Sequence, residues 1–324
     1  MLQKIQNALA NIVYPTQPEG LYEPISYVLS MGGKRLRPTL VLLAYSLFKP
    51  DWEKAMPAAI GLETYHNHTL LHDDLMDNAD VRRGMPTVHK KWDANTAVLS
   101  GDTMLLLAAQ MIASAGVGRM DEVNALFLKS AIEICEGQQY DVNFETRSDV
   151  TEAEYIEMIR LKTSVLLGCA AKMGALLADA PAEDCEVLYR FAEKVGLAFQ
   201  LQDDYLDCFG DQKTFGKKIG GDILCGKKTM PLHCALQRLN EEEGHELLTL
   251  LNTPASAFCA CCGTSPEDEK IQRVLSIYRR LDIPAVIEKR IEDFYAEARK
   301  ELDKLSVDSA PIWEYATSLL GRKS

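Results

Sequence analysis

Leu70-Leu71-His72-Asp73-Asp74-Leu75-Met76-Asp77 closes a long apolar segment with three carboxylates. In a helix, Asp73 and Asp77 sit one turn apart on one face. Carboxylates this close repel one another, so the stretch must face water or hold a cation. Upstream, the chain from Pro57 through Ala58-Ala59-Ile60-Gly61-Leu62 to Asp77 reads as one helix, with the acids at its C-terminal end. There they meet the negative end of the helix dipole, which costs up to ~1 kcal/mol each when exposed. A local rule broken in this way marks a functional position. The pattern returns 130 residues later as Asp203-Asp204-Tyr205-Leu206-Asp207, again after an apolar helical run, Val195 to Leu201.

Around these two helices the chain shows helical periodicity and no sustained alternation of period two. Residues 2–14 and 21–30 predict two amphipathic helices separated by Pro15-Thr16-Gln17-Pro18. Gly32-Gly33 stops the second, and Pro38 is placed to open a third from Thr39 to Phe48. Asn78 to Pro86, with Arg82-Arg83-Gly84, reads as a polar loop. Helices are expected over Asp121–Gly137, from the cap at Asp149-Val150-Thr151-Glu152 through Met173, and over Pro181–Asp207. A Gly- and Lys-rich loop follows, and residues 229–324 read as further helices broken near Pro254–Pro266, Pro284 and Pro311. No Pro-, Gly- or Ser-rich linker divides the chain, so 1–324 is taken as a single all-α domain, one large bundle of roughly ten or more helices.

Composition excludes several classes. With 324 residues, 47% hydrophobic and 25% charged, the chain can bury a large core. A formal net charge of −12 opposes nucleic-acid binding, which needs a basic face. The start, Met1-Leu2-Gln3-Lys4-Ile5, lacks the pattern of a secretory signal. The most apolar run, residues 97–116, carries Asp102, Thr103, Gln110 and Ser114; it makes a poor membrane span and is expected to be a central core helix. Nine scattered cysteines point to a reducing, cytoplasmic setting, and Cys259, Cys261 and Cys262 lack the further ligand that a zinc site needs.

Two helices that end alike can face each other across a bundle, so that their carboxylates rim one cavity. An all-oxygen donor set suits hard cations, Mg²⁺ or Mn²⁺, and Mg²⁺ completes its octahedron with water and phosphate oxygens. Three basic clusters in glycine-broken loops point to diphosphate: Lys34, Arg35 and Arg37; Arg82 and Arg83; and Lys217, Lys218, Lys227 and Lys228. The loop at 210–228 lacks Walker spacing, and no Ser/His/Asp arrangement is visible. His66 and His68 lie on the long acidic helix, where a hydrogen-bonded structural histidine is the ordinary reading.

Taken together, Gly32-Gly33-Lys34-Arg35-Leu36-Arg37-Pro38, Asp73-Asp74-Leu75-Met76-Asp77 with Arg82-Arg83-Gly84, Phe199-Gln200-Leu201-Gln202-Asp203-Asp204-Tyr205-Leu206-Asp207, and Gly216-Lys217 with Gly220-Gly221-Asp222-Ile223 and Gly226-Lys227-Lys228-Thr229 resemble the ordered motifs of the trans-isoprenyl diphosphate synthases. The resemblance implies a helical bundle around a central cavity. It implies that Asp73, Asp77 and Asp203 coordinate Mg²⁺, about three ions in all, with Asp74, Asp204 and Asp207 assisting. Lys34, Arg37, His66 and Arg83 would bind isopentenyl diphosphate. Arg82, Lys162, Gln200, Lys217 and Lys227 would bind the allylic diphosphate, and Lys162-Thr163 would turn oxygens toward the developing cation. Arg322-Lys323 would close over the site, and a homodimer is expected. The implied reaction ionises the allylic diphosphate, adds isopentenyl diphosphate head-to-tail and loses a proton to the released diphosphate.

In such relatives, bulky residues four and five positions before the first aspartate form the pocket floor. Here these are Thr69 and His68, with His68 where many short-chain relatives carry an aromatic residue and Tyr65 adding bulk. A C15 or C20 product is expected rather than a long-chain polyprenyl diphosphate. A terpene cyclase would replace the second aspartate motif, and a non-catalytic subunit would lose aspartates or basic residues; both triplets and all three basic clusters are intact.

Overall fold

The computed structural model describes residues 1–210, 219–258 and 265–320. The fold is all-α. Its helices are α1 (Leu2–Ala10), α2 (Glu23–Ser30), α3 (Leu36–Ser46), α4 (Met56–Met76), α5 (Val88–Lys91), α6 (Ala94–Ala113), α7 (Met120–Thr146), α8 (Glu152–Ile159), α9 (Val165–Leu177), α10 (Ala182–Phe209), α11 (Gly221–Leu224), α12 (Met230–Leu236), α13 (Glu241–Asn252), α14 (Pro266–Arg280), α15 (Ile283–Leu302) and α16 (Ala310–Leu320). One hairpin, β1 (Val81–Arg82) with β2 (Met85–Pro86), interrupts them; it lies inside the stretch expected to be a polar loop. Contacts group the chain into two compact units. The first is Met1–Ser130, Leu167–Tyr189 and Lys304–Ile312; the second is Ala131–Leu166, Arg190–Asp303 and Trp313–Ser324.

In the first unit, α4 is buried along most of its length and packs against α3 and α6. Gly61 lets α6 approach: a Cβ there would stand 2.8 Å from the Ala108 carbonyl oxygen and from the Ile112 side chain. Leu62, Tyr65, Met104 and Phe127 fill the space around α4 and are almost fully enclosed. Each large apolar side chain buried in this way stabilises by about 1.5–3 kcal/mol. α4 begins with Pro57 in its first turn, where the missing N–H costs nothing, and Asp77 forms its C-cap.

α6 departs from the sequence expectation. It was expected in the centre, yet only Ala97, Ser100, Gly101, Met104, Ala108 and Ile112 are buried. Leu106 is 70% exposed, and Val98 and Leu99 are exposed with it. The reason is geometric: α4 occupies one face of α6, and the apolar residues Val98, Leu99 and Leu106 on other faces stay exposed among the described residues. By length and composition α6 is apolar enough to cross a membrane, with 33% of its most apolar window buried.

In the second unit, the cap expected at Thr151 is present: its hydroxyl accepts from the Glu154 N–H while the Glu154 carboxylate accepts from the Thr151 N–H. The helix that this capping box starts was expected to run unbroken to Met173. It runs past Met173 to Leu177, with a π-turn, Arg160–Ser164, set between α8 and α9. Single π-turns of this kind are frequent at functional sites. Two glycines grip this turn. A Cβ on Gly137 of α7 would lie 2.8 Å from the Lys162 Cα, and one on Gly196 of α10 would lie 2.7 Å from the Ser164 Cα. The helix expected over Asp121–Gly137 therefore continues through Gly137 to Thr146, because the glycine serves packing rather than termination.

Candidate active site

The basic loop before α3 is built on unusual backbone. Gly32 and Gly33 have φ of 79° and 127°, and Arg35, the N-cap of α3, has φ of 52°. The left-handed turn drives Arg35 inward, where it is 5% exposed. Its Nη1 donates to Glu63 Oε1 at 2.6 Å and its Nη2 to the Leu29 carbonyl at 2.7 Å. Glu63 also accepts from Asn67 Nδ2 at 3.2 Å. Arg35 thus leaves the cluster read from sequence and becomes an internal brace, while Lys34 remains exposed. Arg37 Nη1 lies 3.2 Å from His66 Nε2. Burial, and then the nearby Arg37 charge, hold the His66 pKa well below its ordinary value, so the imidazole is neutral.

The β1–β2 hairpin carries the next two arginines. Its turn residues Arg83 and Gly84 both have positive φ, 53° and 78°, as a tight hairpin turn requires. The Arg83 guanidinium donates to the Gly32 carbonyl and covers Gly33, where a Cβ would stand 2.8 Å from the Arg83 Cζ. Arg82 turns back to the aspartates: its Nε donates to both Asp74 oxygens, at 2.8 and 2.7 Å. Its Nη2 stands 3.8 Å from Asp73 Oδ2.

The first acidic triplet is therefore not three equivalent carboxylates. Asp74 is 6% exposed and held by Arg82. Burial raises its pKa, opposed by the Arg82 hydrogen bond. Asp73 is partly exposed and Asp77 exposed.

The second triplet repeats the arrangement in its own unit. Asp204 is 2% exposed. One of its oxygens accepts from the Tyr155 hydroxyl and from the Met230 N–H at 3.2 Å, the other from Gln200 Nε2 at 3.2 Å. Burial pushes its pKa up to about 7, with the neighbouring Asp222 charge adding to the rise. Asp203 and Asp207 are partly exposed, and Asp207 Oδ2 accepts from the Asp222 N–H at 3.1 Å.

Around this triplet, Lys162 and Thr163 both lie in the π-turn. Lys162 Nζ donates to Asp141 at 2.6 Å, and Thr163 Oγ1 to Gln200 Oε1 at 3.1 Å. Lys227 is exposed, whereas Lys228 turns back to the end of α7, donating to the carbonyls of Phe144 and Glu145 at 2.8 and 3.2 Å. Lys217 and Lys218, Arg322-Lys323 and the Cys259, Cys261 and Cys262 cluster lie outside the described residues.

The pocket-floor candidates lie on α4. His68 is 9% exposed; its ring centre lies 5.5 Å from that of Tyr65 and 4.6 Å from that of His72. Tyr65 in turn meets Phe127 edge-on at 5.2 Å. The hydrogen-bonded histidine expected here is only partly found, since Nδ1 of His68 has no partner among the described residues. Burial, then His72, lowers the His68 pKa to about 4, leaving a neutral, bulky ring. The Thr69 hydroxyl returns to the His66 carbonyl at 2.8 Å.

The donor chemistry fits Mg²⁺. Each triplet offers accessible carboxylate oxygen and no thiolate, with its middle member already occupied by protein donors. Among the described residues no three His, Cys, Asp or Glu side chains gather closely enough to enclose an ion.

The family model described as polyprenyl synthetase matches residues 18–258. The chain belongs to the polyprenyl synthetase family. It is a trans-prenyltransferase. Among its relatives, the short chain isoprenyl diphosphate synthase of Methanocaldococcus jannaschii is 39% identical over 280 residues, covering 86% of this chain and 82% of that protein. A geranylgeranyl diphosphate synthase of Methanosarcina mazei is 42% identical over 228 residues, 70% of each chain. A crystal structure of a geranylgeranyl pyrophosphate synthase, 41% identical, superposes with a TM-score of 0.90 over 100% of this chain and 97% of that one.

Within this family member, sequence reading missed Glu63, Asp141, Tyr155 and the glycines at 137 and 196. Glu63 carried a usable signal, a charge inside an otherwise apolar helix. Tyr155 and Asp141 carried none, because they serve through partners distant in sequence.

Proposed function

We propose that this prenyltransferase makes a short all-trans prenyl diphosphate, with C20 favoured over C15, from isopentenyl diphosphate and dimethylallyl, geranyl or farnesyl diphosphate. The single observation that carries this reading is the shared construction of the two triplets: a buried middle aspartate bound by protein donors, between outer aspartates that are partly or fully exposed. The names of the similar synthases support C20, and a bulky His68 supports a short chain.

In this reading Asp73, Asp77 and Asp203 bind Mg²⁺, and Asp207 assists. Asp74 and Asp204 act from behind, by fixing the helix ends. Held by the outer carboxylates, Mg²⁺ would supply positive charge against the departing diphosphate. Lys34, Arg37, His66 and Arg83 hold isopentenyl diphosphate; neutral His66 accepts from Arg37 and so aims its guanidinium. Arg82, Lys162, Gln200, Lys217 and Lys227 hold the allylic diphosphate. Thr163 and the π-turn carbonyls stabilise positive charge on the allyl group. His68 and Thr69, backed by Tyr65 and Phe127, limit the chain.

The exposed apolar residues of α6 and α7, among them Leu106, Leu128 and Ile132, support a homodimer in which a second copy covers them. Sedimentation giving twice the 36.1 kDa chain mass supports that, and a 36.1 kDa species overturns it. Free thiols at Cys135, Cys185, Cys208 and Cys234 support a reducing, cytoplasmic location, which cell fractionation checks.

The functional test is product sizing. The purified protein is incubated with isopentenyl diphosphate and each allylic diphosphate, with Mg²⁺ or with a chelator, and the dephosphorylated products are separated. A C20 product that vanishes on chelation is expected. Product formation unaffected by chelation, or a folded protein that elongates nothing, overturns the reading.

A further inference from the structure

Tyr155 is 2% exposed, and its hydroxyl donates to Asp204. The same carboxylate accepts from Gln200, one turn earlier on α10, and from the Met230 N–H at the start of α12, both at 3.2 Å. Gln200 in turn accepts from Thr163 of the π-turn at 3.1 Å. The Tyr155 ring lies 5.2 Å from His233, whose Nε2 is 3.0 Å from the Lys228 carbonyl. One buried carboxylate thereby joins α8, α10, the π-turn and the segment that follows Lys227. Asp204 stands between the accessible Asp203 and Asp207 on the same helix end. Any rotation of α10 that moves those two must break bonds at Asp204.

We propose that Tyr155 is a positioning residue for prenyl transfer: by its hydrogen bond to Asp204 it fixes the orientation in which α10 presents Asp203, Asp207 and Gln200. The proposal rests on the reading of Asp203 as a metal-binding carboxylate. Tyr155 does not touch substrate. It acts by removing the freedom of a helix end whose carboxylates must meet an ion and a diphosphate together, where a misplacement of about 1 Å can cost about 100-fold in rate.

Tyr155→Phe keeps the ring and removes only the donor. With saturating substrates, kcat is expected to fall about tenfold or more, and the half-saturating Mg²⁺ concentration to rise about threefold or more. The KM for isopentenyl diphosphate stays within about twofold, because that substrate is assigned to other residues. Asp204→Asn, which keeps the shape, gives the same pattern, and Tyr155→Phe/Asp204→Asn is no worse than the poorer single variant. A merely structural role would lower the melting temperature and leave the Mg²⁺ dependence unchanged; that result overturns the proposal. Full activity of Asp204→Asn, or losses that multiply in the double variant, overturns it as well. Native protein is assayed alongside: if it shows no Mg²⁺-dependent elongation, the metal reading itself fails, whereas normal native behaviour with an indifferent Tyr155→Phe rejects this proposal alone.

Discussion

At the scale of the residue, the motifs divide labour that their letters do not show. Asp74 and Asp204 are buried and bonded, while their neighbours keep accessible oxygens. Arg35 belongs to a basic run yet forms a buried pair with Glu63 at 2.6 Å, both nearly sealed from water. Cutting one partner out of such a pair typically costs about 3–5 kcal/mol, because the other charge is left buried alone. Alternation of duty within a run could not be read from sequence, since it depends on a left-handed backbone at Arg35 that residue type does not announce. His68 was legible in position and bulk. Its bare Nδ1 and lowered pKa were not, because both follow from Tyr65, His72 and the enclosing helices. His68→Ala removes that bulk from α4 and is expected to lengthen the main product by one or more five-carbon units. Chromatography of the dephosphorylated products checks this; an unchanged length rejects His68 as the floor. Below about pH 6.5, stability should fall, since the unfolded chain then binds a proton that buried His68 refuses until about pH 4. The full effect is of order 3 kcal/mol, and His68→Gln should flatten the urea-unfolding midpoint between pH 7 and pH 4 relative to native protein.

At the scale of the element, periodicity found α4 and α10 almost to the residue, and the capping pattern at Thr151 located α8. Helix interruption was less legible. The π-turn at Arg160–Ser164 lies in a sequence of ordinary helix formers, and it is held by close backbone contact rather than by any local breaker. Gly137 read as a helix end but is a contact point, because the absence of a side chain serves packing and termination alike. Gly137→Ala places a methyl against Leu161 and Lys162 backbone, 2.8 Å from the Leu161 carbonyl carbon. Overpacking of this kind costs about 1–3 kcal/mol. Since the strain falls on the turn that holds Lys162 and Thr163, the KM for the allylic substrate should rise several-fold, with that for isopentenyl diphosphate little changed. Steady-state kinetics and a urea titration on the same sample measure both parts.

At the scale of the whole molecule, the all-α fold was legible because nearly every segment carried helical period and none carried sheet alternation. The surface was less so. α6 looked like a core helix from composition, but composition cannot say whether an apolar face is covered by the same chain or by another body. A cation and diphosphate site was legible from two acidic helix ends and three basic loops in one acidic chain, and the reaction from the resemblance of these ordered motifs to the trans-isoprenyl diphosphate synthases. The proposed ionisation draws on carboxylates of both triplets. The measurement that tests this most directly is incorporation of radiolabelled isopentenyl diphosphate by Asp73→Asn and Asp203→Asn beside the native chain, at saturating Mg²⁺ and allylic substrate. Each variant is expected to fold and melt like native protein and to lose about 100-fold or more in rate. A near-native rate in either variant would contradict the account.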